Sequence, residues 1–132
     1  PVLLFVRENI VKLHVSTSLA LRDGSWSSHH ERRSQTIALD PKKVLRDLKR
    51  LEASQNLLVD RCKRFNTTTV AYESPDQLKL DLVTSALGLP NIGIPAVERQ
   101  KQTPNELDRV IENFDEVARA LLDTRFESQL HG

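Results

Sequence analysis

Hydrophobic positions change their spacing several times along this chain, and each change marks an element. Val2–Val6 is an unbroken apolar run, the pattern of a parallel strand buried on both faces rather than one with a wet side. The run stops at Arg7. Over residues 8–21 the apolar Ile10, Val11, Leu13, Val15, Leu19 and Ala20 are interrupted by polar residues, with no Gly or Pro between them, so a helix is expected to follow directly. Residues 22–36, RDGSWSSHHERRSQT, are rich in Gly, Ser and charge and read as a loop. Asp40 and Pro41 then supply a helix start, because the carboxylate accepts from free backbone N–H groups and proline suits the first turn. Val44, Leu48, Leu51, Leu58, Cys62 and Phe65 recur at three- and four-residue steps, with Gln55 as the interruption. That spacing predicts one long amphipathic helix over 41–65.

Residues 67–72, TTTVAY, are β-branched and aromatic and predict a second strand. Ser74, Pro75 and Gln77 have the form of an N-cap, a first-turn proline and the reciprocal partner of a capping box, and the helix they open is expected to stop at Gly88. Residues 89–103, with Pro90, Gly93 and Pro95, read as a loop. A second capping box, Thr103 to Glu106, is expected to open a last helix with Leu107, Val110, Ile111, Phe114, Val117, Ala118, Leu121 and Leu122 on its apolar face. Residues 125–132 form a tail that either packs or frays. Two strands separated by helices imply parallel pairing through a right-handed crossover. Two strands alone make a marginal sheet. The expected fold class is therefore α/β, a partial parallel sheet flanked by helices in a single, incomplete domain over 1–132. A chain that opens at Pro1 straight into an apolar strand carries the same expectation of residues before it.

Composition narrows the function classes. A length of 132 residues suits one domain or part of a larger one, and 39% hydrophobic with 28% charged residues is a globular composition rather than a disordered one. No apolar run approaches the length of a membrane span, and PVLLFV, without a basic leader or a cleavage site, reads as a strand rather than a signal peptide. The net charge is +1 with the two signs interleaved, which argues against a nucleic-acid partner. Cys62, the single cysteine, falls on an apolar stripe as a buried thiol and fixes no compartment. His29 and His30 are adjacent and so point different ways, with no further ligand at a suitable spacing; they read as a solvated loop pair and no metal is expected. His14 reads as a partly buried or surface side chain and His131 as part of the tail.

The place for chemistry is Arg7, where a buried strand hands over to a helix. Open α/β sheets bind ligands at the carboxyl ends of their strands, and an anion there is expected to meet both a guanidinium and the unpaired N–H groups of a helix start. Ser16 follows nine residues later, about two and a half helical turns, and the two side chains are expected to reach one phosphate from adjacent directions. The segment over 3–26, LLFVRENIVKLHVSTSLALRDGSW, resembles the sulfotransferase motif that binds the 3′-phosphate of the nucleotide sulfate donor. That motif is an apolar strand, an arginine, a polar residue and a helix with a serine near its middle. Ala20 and Gly24-Ser25-Trp26 are similar to the continuation found in the carbohydrate-sulfotransferase-like branch. Val70-Ala71-Tyr72-Glu73 resembles that family's later strand ending in Tyr-Glu, and Leu87-Gly88-Leu89 resembles the close of the next helix. Lys101, Pro104 and the stretch over 111–117 resemble its C-terminal segment.

The resemblance implies the C-terminal portion of a sulfotransferase-type three-layer fold, with 3′-phosphoadenosine 5′-phosphosulfate (PAPS) or its desulfated product (PAP) as the nucleotide. Arg7 and Ser16 would clamp the 3′-phosphate, Tyr72 would lie near the adenine, and Lys101, together with Arg99, would approach the same phosphate. Charge-assisted bonds from Arg7 are each worth about 1.5–3 kcal/mol against about 1 for a serine contact, so Arg7 is expected to dominate. The acceptor would be a hydroxyl or amine on a carbohydrate or small metabolite. The family's loop for the 5′-phosphosulfate and its general base have no counterpart in these residues, so no catalytic residue is assigned. Glu8 sets a carboxylate beside the phosphate position unless it turns away or pairs with Lys12. The alternative is a sulfotransferase-derived structural subunit whose apolar first strand is completed by another protein chain.

Overall fold

The computed structural model describes residues 1–24, 36–90, 93 and 106–132. Among these residues it is a mixed α/β structure with one two-stranded parallel sheet and four α-helices. The elements run β1 (Val2–Val6), α1 (Ile10–Asp23), α2 (Val44–Cys62), β2 (Thr67–Ala71), α3 (Asp76–Leu87) and α4 (Phe114–Leu121), with short 3-10 turns at Leu107–Arg109 and Ser128–Leu130. None of the described helices is long and apolar enough to cross a membrane. The described residues fall into two compact units: Pro1–Glu8 with Glu52–Glu98, and Asn9–Leu51 with Arg99–Gly132. Helix α2 gives residues 44–51 to the second and 52–62 to the first.

In the first unit β1 and β2 run parallel in the register Val2↔Thr67 through Val6↔Ala71. Backbone hydrogen bonds extend the ladder at both ends, Val2 N–H to Asn66 O and Tyr72 N–H to Val6 O, each at 2.8 Å. Leu4 and Val70 are buried, but Phe5 is 55% exposed. Burial of the first strand on both faces thus holds at Leu4 and fails at Phe5, whose side chain points to the opposite face of the sheet. Helix α3 starts without the capping box. Pro75 is its cap residue with no side-chain bond, and Gln77 donates instead to Asp81 at 2.7 Å. Its C-terminus follows the expectation: Gly88 takes φ 65°, and its N–H and that of Leu89 close on the carbonyls of Ser85 and Thr84. A Cβ at Gly88 would meet nothing within 4 Å, so the backbone angle and not crowding calls for glycine.

The second unit holds the larger core. Val11, Val15 and Leu19 of α1 pack with Val44 and Leu48 of α2, with Leu107, Val110 and Ile111, with Val117 and Leu121 of α4, and with Phe126 and Leu130. Asp40 opens the turn before α2 as expected, accepting from the Lys42 N–H at 2.9 Å, and that bond, with Lys43 beside it, holds its carboxyl below the usual carboxylate range. The last helix is shorter than the apolar spacing predicts. Ile111 leaves helical geometry to form a parallel bridge with Ile37, flanked by Ile37 N–H to Val110 O at 2.8 Å and Glu112 N–H to Ile37 O at 3.0 Å. Asn113 then binds both backbone groups of Leu39, at 3.0 and 2.7 Å, and α4 starts only after it. The tail packs: Phe126 is fully buried and Leu130 nearly so. The expected capping box at Thr103, the loop residues Trp26, His29 and His30, and Lys101 with Arg99 lie outside the described residues.

Candidate functional site

The carboxyl ends of β1 and β2 bring together residues from two distant stretches of sequence. Because Val6 and Ala71 are register partners, the next residues, Arg7 and Tyr72, leave the sheet side by side. The guanidinium carbon of Arg7 lies 3.6 Å from the centroid of the Tyr72 ring, a stacked cation–π contact. Its Nη1 stands 3.9 Å from Glu73 Oε1, within ion-pair range but too long for a hydrogen bond. The other oxygen of that carboxylate accepts from the Glu8 N–H at 3.0 Å. Gln55 fixes the corner from α2: its Oε1 accepts from the Arg7 N–H at 2.9 Å and its Nε2 donates to the Arg7 carbonyl at 2.8 Å. The side-chain amide thereby takes the place of an additional strand at the point where β1 ends.

A second cation belongs to the same corner. Lys79 Nζ lies 5.4 Å from the Tyr72 centroid, donates to the Tyr72 carbonyl at 3.1 Å and pairs with Asp76 at 2.6 Å. Tyr72 itself remains half exposed. Sequence reasoning assigns none of Glu73, Gln55 and Lys79 to the site, although Gln55 interrupts the α2 stripe and Glu73 closes the Tyr-Glu motif. The signal that could have found Glu73 is the equal length of the two strands, which sets Tyr72 and Glu73 opposite Arg7 and Glu8 once a parallel register is assumed.

Ser16 lies in α1 of the second unit, six residues after Ile10 and partly buried. Since α1 begins three residues after Arg7, helical spacing does not relate the two side chains. The expectation of free N–H groups at the start of α1 is overturned. Gln129 Oε1 accepts from Ile10 N–H at 2.8 Å and from Val11 N–H at 3.3 Å, and Asn9 Oδ1 accepts from Lys12 N–H at 2.8 Å. The Asn9 amide donates in return to Gln129 O at 2.8 Å. With Ile10 and Val11 engaged by Gln129 of the packed tail and Lys12 by the Asn9 cap, the N–H groups of the first turn of α1 are already taken. Lys12, one of the two ways of drawing Glu8 off the phosphate position, donates to the carbonyl of Gly132 at 2.9 Å.

Two other features of the second unit bear on chemistry. His14 is partly buried; desolvation lowers its pKa and the charge of Asp47 opposes that only in part, which keeps the ring neutral near pH 7. An open depression of about 560 Å³ is lined by Asp108, Glu112, Asp115 and Glu116 with Arg119 as its cation. Its predominantly negative rim suits no anionic nucleotide. Cys62 is partly buried and unpaired in any disulfide. No protein-family model, curated protein or solved structure matches the chain.

Proposed function

We propose that this chain is the nucleotide-gripping C-terminal part of a sulfotransferase domain of the three-layer type. The full protein would use PAPS and transfer a sulfuryl group to an acceptor hydroxyl or amine, on a carbohydrate or a small metabolite. One observation carries the reading. Arg7 and Tyr72, picked out by two separate motif resemblances, stand in contact at the carboxyl ends of a parallel strand pair, where α/β sheets bind their ligands. In this assignment the Arg7 guanidinium donates to the 3′-phosphate of the nucleotide. Tyr72 gives its ring or hydroxyl to the adenine. The ring contact and the Gln55 clamp hold the fork in one orientation before the ligand arrives, which reduces the entropy lost on binding. Ser16 and Lys101 receive their phosphate contacts from the resemblance alone.

The test is a calorimetric titration of PAP into the protein and into its Arg7→Ala variant, with circular dichroism confirming that both are folded. Loss of charge-assisted bonds worth about 1.5–3 kcal/mol each predicts at least a tenfold weaker affinity, and Ser16→Ala a smaller loss. Equal affinity before and after Arg7→Ala would remove the assignment. A second reading, an inactive subunit whose first strand is completed by another chain, draws on the second edge of β1, which no strand among the described residues pairs with. It predicts that the wild-type protein and its variants give no binding heat at all.

A further inference from the structure

The Glu73 carboxylate occupies the position of a ligand. One of its oxygens faces the Arg7 guanidinium at 3.9 Å, and the other accepts from the backbone N–H of Glu8 at 3.0 Å. An anion held at the end of β1 would call on those same donors, a guanidinium and the amide just past the strand. From this overlap we propose that Glu73 is an internal competitor for the phosphate site, displaced when the nucleotide binds, and that it sets how much negative charge a ligand must carry to enter. The inference rests on the nucleotide reading given above.

Three observations make displacement feasible. The Arg7–Glu73 separation exceeds hydrogen-bond length, so the pair lacks the direct charge-assisted bond that would hold it firmly. Arg7 does not depend on Glu73 for its position, because Gln55 binds its backbone and the Tyr72 ring stacks on its guanidinium. Glu73 follows the end of β2 by two residues, so rotation of its side chain clears the site without disturbing the ladder. A phosphate dianion brings more charge and more acceptor oxygens than a carboxylate and can engage the planar fork with two parallel bonds. A singly charged ligand has no such advantage over Glu73, so the residue raises the threshold for entry.

The experiment compares the wild-type protein, Glu73→Gln and the double variant Glu73→Gln with Arg7→Ala, each titrated calorimetrically with PAP. Glutamine keeps an acceptor for the Glu8 N–H and removes the charge, and thermal melting with circular dichroism verifies the fold of each variant. The expected result is a roughly two- to fivefold tighter affinity for Glu73→Gln, with the gain lost when Arg7 is also replaced. Wild-type binding together with unchanged or weaker binding by a folded Glu73→Gln overturns the competitor role and leaves the nucleotide reading standing. Absence of binding by both the wild type and Glu73→Gln removes the nucleotide reading and this inference with it.

Discussion

Gln55 occupies the one step of the α2 stripe that apolar spacing would give to leucine, and its side chain shows why. Both of its amide groups bind the backbone of Arg7, 48 residues away in sequence. The interruption was visible in the sequence; the partner was not, because nothing local indicates which distant backbone lacks a bonding neighbour. Gln129 presents the same difficulty, serving the start of α1 from the far end of the chain. Two physical arguments then give opposite signs for Gln55→Leu. Completing the apolar stripe should stabilise, whereas orphaning a partly buried N–H and C=O should cost about 1–3 kcal/mol for each group, less where water reaches it. We expect the second effect to win, with a net loss of about 2 kcal/mol. Urea denaturation followed by circular dichroism measures it, and a rise in midpoint would show that the clamp contributes nothing to the strand end.

At the scale of elements, α1, α2 and β1 follow from apolar spacing, β2 from its β-branched residues and α3 from the turn residues that bound it, and their ends move by a few residues. The last helix does not follow. Leu107 to Leu122 keeps helical periodicity throughout, and every one of those apolar positions that points inward could do so from a continuous helix. The chain breaks instead at 110–113, because Ile111 bridges Ile37 and Asn113 binds Leu39. Periodicity reports which side chains are buried, and it is silent on whether the backbone between them is bonded within its own helix or to another segment. The capping box at Ser74 fails for a related reason: Gln77 has a competing partner in Asp81 one turn on. Asn113→Ala tests the break. Alanine improves helix propensity by about 0.5 kcal/mol, but it removes two hydrogen bonds to a half-buried backbone, together worth about 1–3 kcal/mol. The expected outcome is a net destabilisation of about 1–2 kcal/mol in urea; stabilisation would mean that the continuous helix is the better local solution and that the bridge to Ile37 is incidental.

At the scale of the whole molecule, the two units differ in how much apolar surface they bury. Among the described residues the second unit has a connected core running from Ile10 to Leu130, with Val11, Val15, Leu19, Leu48, Val117 and Phe126 wholly inaccessible. Among the described residues of the first unit burial is confined to Leu4, Val70 and Thr84, while Phe5, Leu57, Leu58, Phe65, Leu78, Leu87 and Leu89 remain about half exposed. Two strands make a sheet too small to be stable by itself, and nothing in the pattern of apolar positions marks the thin part as the one that carries Arg7 and Tyr72. Burying one Leu or Val side chain stabilises by about 1.5–3 kcal/mol, so a unit that buries few of them should open more readily than one that buries many. Native-state hydrogen exchange separates the two. The amides of Val15 and Leu19 in α1 should exchange only through the costliest opening, and those of Val2 and Tyr72, bonded at the ends of the β1–β2 ladder, at a free energy lower by about 2 kcal/mol or more. Addition of PAP should then slow exchange at Tyr72 before it affects Val15, since a ligand stabilises only the states that hold its site formed. Equal exchange free energies in the two units would contradict this picture, because the strand pair would then be as stable as the larger core.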